Sequence, residues 1–205
     1  MRRGSRFGSR FYEGSFAVHV AKPDPRYHAP VLSSISAFLH YFDAVHRRAV
    51  RDICALPPEA DGWAPPAGEG EGAWSINTLV GHIAGSRLYF ASAYRGEGWI
   101  SPPPPDVSRR ALWAPALDAS AGELRRRLED TADAWLARKV DLIDTDGQIS
   151  GWRILMLMLE HEVYHRSQID AYAGLNGWPV PDIYGRSAEQ VLAQQDEQRA
   201  KHGAA

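Results

Sequence analysis

The sequence predicts an all-α protein: a four-helix bundle with an irregular N-terminal arm and a short C-terminal helix. Three observations carry this. Four long segments show apolar residues at steps of three and four, the signature of one helical stripe. Proline and glycine clusters separate those segments. No period-two pattern competes strongly as a strand. The chain has 205 residues, 44% of them hydrophobic and 23% charged, which suits one domain with a real core. The expected organisation is an arm over 1–29, the bundle over 30–185, and a helix with a tail over 186–205.

Each element has its own local signal. The arm carries Gly4, Gly8, Gly14, Pro23 and Pro25 without steady periodicity. A short strand around 16–20 is the one local pattern in it, and a loosely packed terminus is the plainer reading. The first helix spans about 31–56, where Ile35, Phe38, Phe42, Val45, Ala49 and Ile53 form one stripe. Pro57 and Pro58 end it. A Pro/Gly/acid loop fills 57–73. The second helix starts with Ser75 as N-cap, and Trp74 before it is placed to staple onto Leu79. Ile76, Leu79, Ile83, Ser86 and Phe90 give its inward face, and Gly96 closes it. Four prolines at 102–105 require an extended linker. The third helix is expected over 121–139, with Ser120 and Glu123 as a capping box. Asp146-Gly147 signals a turn. The fourth helix covers 151–175, and a fifth covers 188–201 behind Ser187 and Gln190.

Charge and composition exclude several classes. A formal net charge of −2 argues against a basic nucleic-acid-binding protein. Only the Arg-rich first ten residues, with Phe7 interleaved, offer such a patch. The apolar run 154–159 falls far short of the ~20 residues that span a bilayer, so no membrane partner is expected. Residues 1–10 lack the apolar core of a secretory signal, which makes a cytoplasmic setting the default. Cys54 is alone, so neither an intrachain disulfide nor a Cys-rich zinc site forms. It reads as a small buried hydrophobe.

The chemistry lies in the histidines. Of eight, His19 and His28 lie in the arm, His202 in the tail, and His40 and His46 beside the stripe of the first helix. Those five read as surface residues. His161 and His165 are four apart and fall on the stripe Ile154, Met158, Ile169, Tyr172. Two imidazoles one turn apart that point into a bundle are suited to chelate one metal ion. Otherwise they are buried polar groups that need other partners. His82, beside Leu79 and Ile83, is the natural third ligand, and three imidazoles leave coordination positions open for water or substrate. Imidazole ligation suits Zn, Ni, Cu or Fe, and a divalent zinc or nickel ion is the expectation.

Residues around these ligands take supporting parts. Asn77, Glu162 and Gln168 are candidates to orient the imidazoles from behind, since a ligating ring usually donates its second N–H. Arg166 reads as a rim residue or as the i, i+4 partner of Glu162. The run His161-Glu162-Val163-Tyr164-His165 also matches H-E-x-x-H, which would make Glu162 the general base of a peptidase. Ala171 stands where the extended form of that motif needs a third ligand. The residues alone identify no catalytic group.

The segment Trp74-Ser75-Ile76-Asn77-Thr78-Leu79-Val80-Gly81-His82-Ile83, with His161-Glu162-Val163-Tyr164-His165-Arg166-Ser167-Gln168-Ile169 and Gly177-Trp178-Pro179, resembles the DinB/YfiT-like superfamily over residues 30–180. Ser167 replaces the glycine usual in that pattern. The resemblance implies a bundle of DinB type, up-down-down-up, often a homodimer. It also implies a divalent metal held by His82, His161 and His165. It further implies a small-molecule substrate and a role in stress or detoxification, since relatives include transferases that use a low-molecular-weight thiol. The leading expectation is thus a metal-dependent, thiol-dependent S-transferase or hydrolase. The alternatives are a non-catalytic metal-binding or dimerisation module and, behind it, the H-E-x-x-H metallopeptidase.

Overall fold

Ser34 opens the first long helix by accepting the Ala37 amide on its hydroxyl. That helix, α1 (Ile35–Ala55), stops where Leu56 turns extended ahead of Pro57 and Pro58. The computed structural model describes residues 32–179 and 186–203, so the arm, including the strand expected at 16–20, lies outside the described residues. Helix α2 (Ile76–Arg95) is capped by Ser75, which accepts the Thr78 amide, and ends on Gly96 at φ 75°. Helix α4 (Gly151–Leu175) and the short α5 (Ala188–Gly203) fall where the sequence places them.

The third helix differs. Helix α3 runs Trp113–Glu129, eight residues earlier than expected at its start and ten at its end. Its buried stripe is Trp113, Ala116, Leu117, Ser120, Ala121, Leu124 and Leu128, a 3–4 repeat that extends further back than the capping signal. Pro115 is tolerated because it sits in the first turn. Ser120 is therefore no cap. Its buried hydroxyl donates to the Leu117 carbonyl, while the Glu123 carboxylate is taken by Arg126. Thr131 and Trp135, expected on the helix, lie beyond its C-terminus. A 3-10 turn (Asp133–Ala137) leads into an antiparallel hairpin of β1 (Lys139–Asp141) and β2 (Gln148–Ser150), in register Lys139↔Ser150. Three-residue strands are too short to show an alternation, which is why no strand is readable there. The Asp146-Gly147 turn lies in this hairpin's loop.

Cross-helix contacts fix the directions. Arg87 meets Glu162 while Tyr94 lies against Gly151, so α2 and α4 are antiparallel. Arg87 reaches Ser120, and Arg95 reaches the Arg127 carbonyl, so α2 and α3 are parallel. The Ile35 amide donates to Asp133 just past α3, and His46 meets Asp118, so α1 and α3 are antiparallel. The result is an up-down-down-up four-helix bundle, with α1 and α2 on one diagonal and α3 and α4 on the other.

The core is split in two. One apolar cluster gathers Phe38, Phe42, Tyr94, Leu128 and Ile154 at one end. The other gathers Ile53, Leu79, Trp113, Leu117 and Ile169. Between them lies a polar layer that contains Arg87, Ser120, Glu162 and the histidines. At the head of α4 the backbones touch. A Cβ on Gly151 would stand 2.4 Å from the Trp135 carbonyl oxygen, so only glycine fits there.

Candidate metal centre

Antiparallel α2 and α4 carry His82 to the same level as the pair His161 and His165. Their rings stand 4.8, 4.7 and 4.5 Å apart between centroids. One nitrogen from each ring lies within 4.8 Å of the other two. The Nε2 atoms of His82 and His161 are 3.0 Å apart. His165 is buried, and the other two are half-buried.

Their protonation follows from their surroundings. Burial, then the neighbouring His165, pulls His82 down to about 4. Burial, then His165 and His82, pulls His161 down to about 3. Burial lowers His165 as well, opposed by its bond to Gln168 and by the charge of Glu71. All three rings are thus neutral at ordinary pH, the form in which an imidazole offers a lone pair.

Gln168 lies behind this set. Its Nε2 donates to the Glu71 carbonyl at 2.7 Å and lies 2.8 Å from the Tyr172 hydroxyl. The amide is thereby oriented, and its Oε1 accepts from His165 Nδ1 at 3.3 Å. A proton on Nδ1 leaves His165 Nε2 free as a donor of electrons. Trp74 flanks the group, 4.8 Å from His82 and 6.0 Å from His165. Phe90 stands edge-on to His161 at 5.6 Å. Three neutral, converging nitrogens with no cation among them fit a divalent ion of the zinc or nickel kind. Among the described residues the buried Nδ1 of His161 has no hydrogen-bond partner.

Two expected supports do not reach the histidines. Asn77 accepts the Gly62 amide at 2.7 Å and donates to Asp61 at 3.1 Å, so it fastens the 57–73 loop to the head of α2. Glu162 is only 2% exposed and both its oxygens are held by Arg87, at 2.9 and 2.6 Å. A carboxylate so clamped and shut from solvent cannot serve as the base of an H-E-x-x-H peptidase, and that reading falls. Its neighbour Arg166 is neither at the rim nor paired with Glu162. It is buried, with its Nε 3.3 Å from Asp52. His46 is not a free surface residue either, because it stacks on Phe42 and bonds Asp118. Cys54 is exposed rather than buried.

The histidines form the floor of a cavity of about 1070 Å³. Its walls include Trp74, Tyr89, Phe90, Trp99 and Tyr164, and the hairpin tip at Leu142 and Ile143 overhangs it. Trp99 ties the 97–107 loop to that hairpin through a 2.8 Å bond to the Asp141 carbonyl. Arg87, Trp74 and Phe90 were the residues that pattern reading did not assign to the site. Arg87 could have been found, since it falls four residues after Ile83 on an otherwise apolar face.

Comparison with known proteins agrees with this architecture. A sequence model of the DinB family matches residues 31–199. A DinB-like protein from Bacillus cereus ATCC 10987 superposes with a TM-score of 0.60 at 17% identity, covering 73% of this chain and 97% of its own. A DinB-like protein from Bacillus subtilis gives 0.56 at 20% identity, covering 72% and 96%. YfiT from Bacillus subtilis, described as a probable metal-dependent hydrolase with an unusual four-helix bundle topology, gives 0.54 at 16% identity, covering 78% and 97%. No curated protein matches the sequence. Among the described residues, no helix is long and apolar enough to cross a membrane.

Proposed function

This chain belongs to the DinB family, and from that premise we propose that it is a metal-dependent hydrolase of small organic molecules. The observation that carries the reading is the convergence of three neutral imidazoles on the floor of an open cavity. His82, His161 and His165 would hold a divalent ion, zinc or nickel, which supplies Lewis acidity and a bound water acidified towards pKa ~7. Gln168 sets the tautomer and tilt of His165. Trp74 and Phe90 keep water off the flanks of the ligands. The description of YfiT as a probable metal-dependent hydrolase supports hydrolysis as the reaction.

S-transfer with a low-molecular-weight thiol is the competing use of the same site. The walls favour it less, because no Lys or Arg among the described lining residues would receive the carboxylates that common cellular thiols carry. The deciding experiment measures metal content, then turnover of uncharged esters and amides by the loaded enzyme, with and without added thiols. Metal-dependent hydrolysis that is absent from His161→Ala is the expected result. Turnover only when a thiol is supplied would replace hydrolysis with S-transfer. Stoichiometric metal without either activity would leave a binding module.

A further inference from the structure

We propose that the cavity selects bulky apolar substrates that are cationic or uncharged and turns away anionic ones; this rests on the hydrolase reading and names its substrate class. The charge of the lining is one-sided. Three carboxylates line the cavity, and they come from separate elements. Glu71 is on the 3-10 turn before α2, Asp144 on the hairpin tip, and Glu160 on α4 beside His161. Among the described residues none of them is in an ion pair, and no Lys or Arg shares the lining. The buried guanidinium of Arg87 is spent on Glu162 and is not among the lining residues.

The walls point the same way. Tyr89, Phe90 and Trp99 form a cluster with ring centres 5.3–6.1 Å apart, and Trp74 and Tyr164 face them across the histidines. Ring faces carry negative quadrupole density, so they attract an ammonium group and repel a carboxylate. At the mouth, Ile143 and Tyr164 are 64% and 59% exposed, which continues the apolar track outward. A cavity of about 1070 Å³ takes a body the size of a fused aromatic ring with room for a leaving group. Away from the metal position, an anion entering here would lose its hydration without gaining a cationic side chain.

The test compares three probes of one shape on the full chain: 1-naphthylmethylammonium, 1-naphthylmethanol and 1-naphthoate. Affinity is read from quenching of tryptophan fluorescence. The chelator-treated chain gives the clean comparison, because naphthoate could otherwise bind the metal through its carboxylate. The expected order is cation, then alcohol, then naphthoate, with cation and naphthoate about tenfold or more apart. In the triple variant Glu71→Gln, Asp144→Asn, Glu160→Gln that gap closes to about threefold or less. Equal or tighter binding of naphthoate, an unchanged gap in the triple variant, or no binding of any probe would overturn the proposal. The hydrolase reading is scored separately, by metal-dependent turnover of an uncharged ester.

Discussion

Arg87 and Glu162 form a two-pronged, fully buried ion pair directly behind the histidines. Arg87 Nε and Nη2 donate to the two carboxylate oxygens at 2.9 and 2.6 Å. Its Nη1 donates to the Leu117 carbonyl and to Ser120, and its guanidinium lies 5.1 Å over the Phe42 ring. One side chain of α2 thus touches the other three helices of the bundle. Glu162 is the next residue after His161, and Arg87 lies five after His82, so the pair sets the spacing of the two helices that carry the candidate ligands.

Breaking that pair from one side should destabilise the bundle strongly. Arg87→Met or Glu162→Gln leaves a buried group without its partner, which costs about 3–5 kcal/mol. The joint variant Arg87→Met, Glu162→Leu should recover most of that loss, because it buries neither charge. Urea unfolding at neutral pH reads both effects. A Glu162→Gln variant with unchanged stability and no turnover would instead restore Glu162 as a general base.

Gln168 should matter to metal affinity more than to the fold. Gln168→Ala frees the His165 ring to tilt and to take the other tautomer, so affinity should fall about 10–100-fold. The Glu71 carbonyl that Gln168 also holds keeps Tyr172 as a neighbour, since the Tyr172 hydroxyl donates to the adjacent Gly72 carbonyl at 3.0 Å. Competition titration with a chromogenic chelator measures the change. Equal affinity in parent and variant would show that the ring is held by packing alone.

How much of this was readable from sequence depended on the range of the interaction. The helices α1, α2 and α4 were legible because each has a stripe, a capping serine or a proline stop within its own segment. The convergence of His82 with His161 and His165 was legible because one amphipathic face carries each. The capping pattern at Ser120 points to the wrong start for α3, because the stripe that sets this helix begins at Trp113. The Arg87–Glu162 bond joins residues 75 apart, and local spacing favoured the wrong partner, Arg166. Residue type alone predicts a buried Cys54, whereas its position on the outer side of α1 decides its exposure.

Acid should weaken the metal-free chain through its histidines. His82 at about 4 and His161 at about 3 lie below the ordinary 6.5 of the unfolded chain. Between those values the unfolded state binds more protons, so stability falls as pH drops from 6.5 towards 4. By pH 5 the two rings together account for about 2 kcal/mol, allowing for their partial exposure. Thermal melts of the chelated chain at pH 7 and pH 5 show this, and His161→Ala should lose roughly half of the slope. Metal content of the loaded chain should fall over the same range, as protons compete for the nitrogens.

Asp170 should act in the opposite sense. Burial, and then the charge of Asp52, pushes its carboxyl up to about 6, against the pull of Arg166 and Arg51. The folded state then binds more protons than the unfolded state between the ordinary 3.8 and about 6. Stability is lost as pH rises through that window, and the loss persists at pH 7. Asp170→Asn keeps the shape and removes the charge, so it should stabilise the chain by about 1–2 kcal/mol at pH 7 and have little effect at pH 4. With that opposing contribution gone, the histidine-driven decline on acidification should become steeper between pH 6 and pH 4 in the variant. Denaturant midpoints for parent and variant at pH 4, 5 and 7 decide it. A variant less stable than the parent at pH 7 would mean that Asp170 is held as an ion by Arg166, and that the pair stabilises the α1–α4 seam.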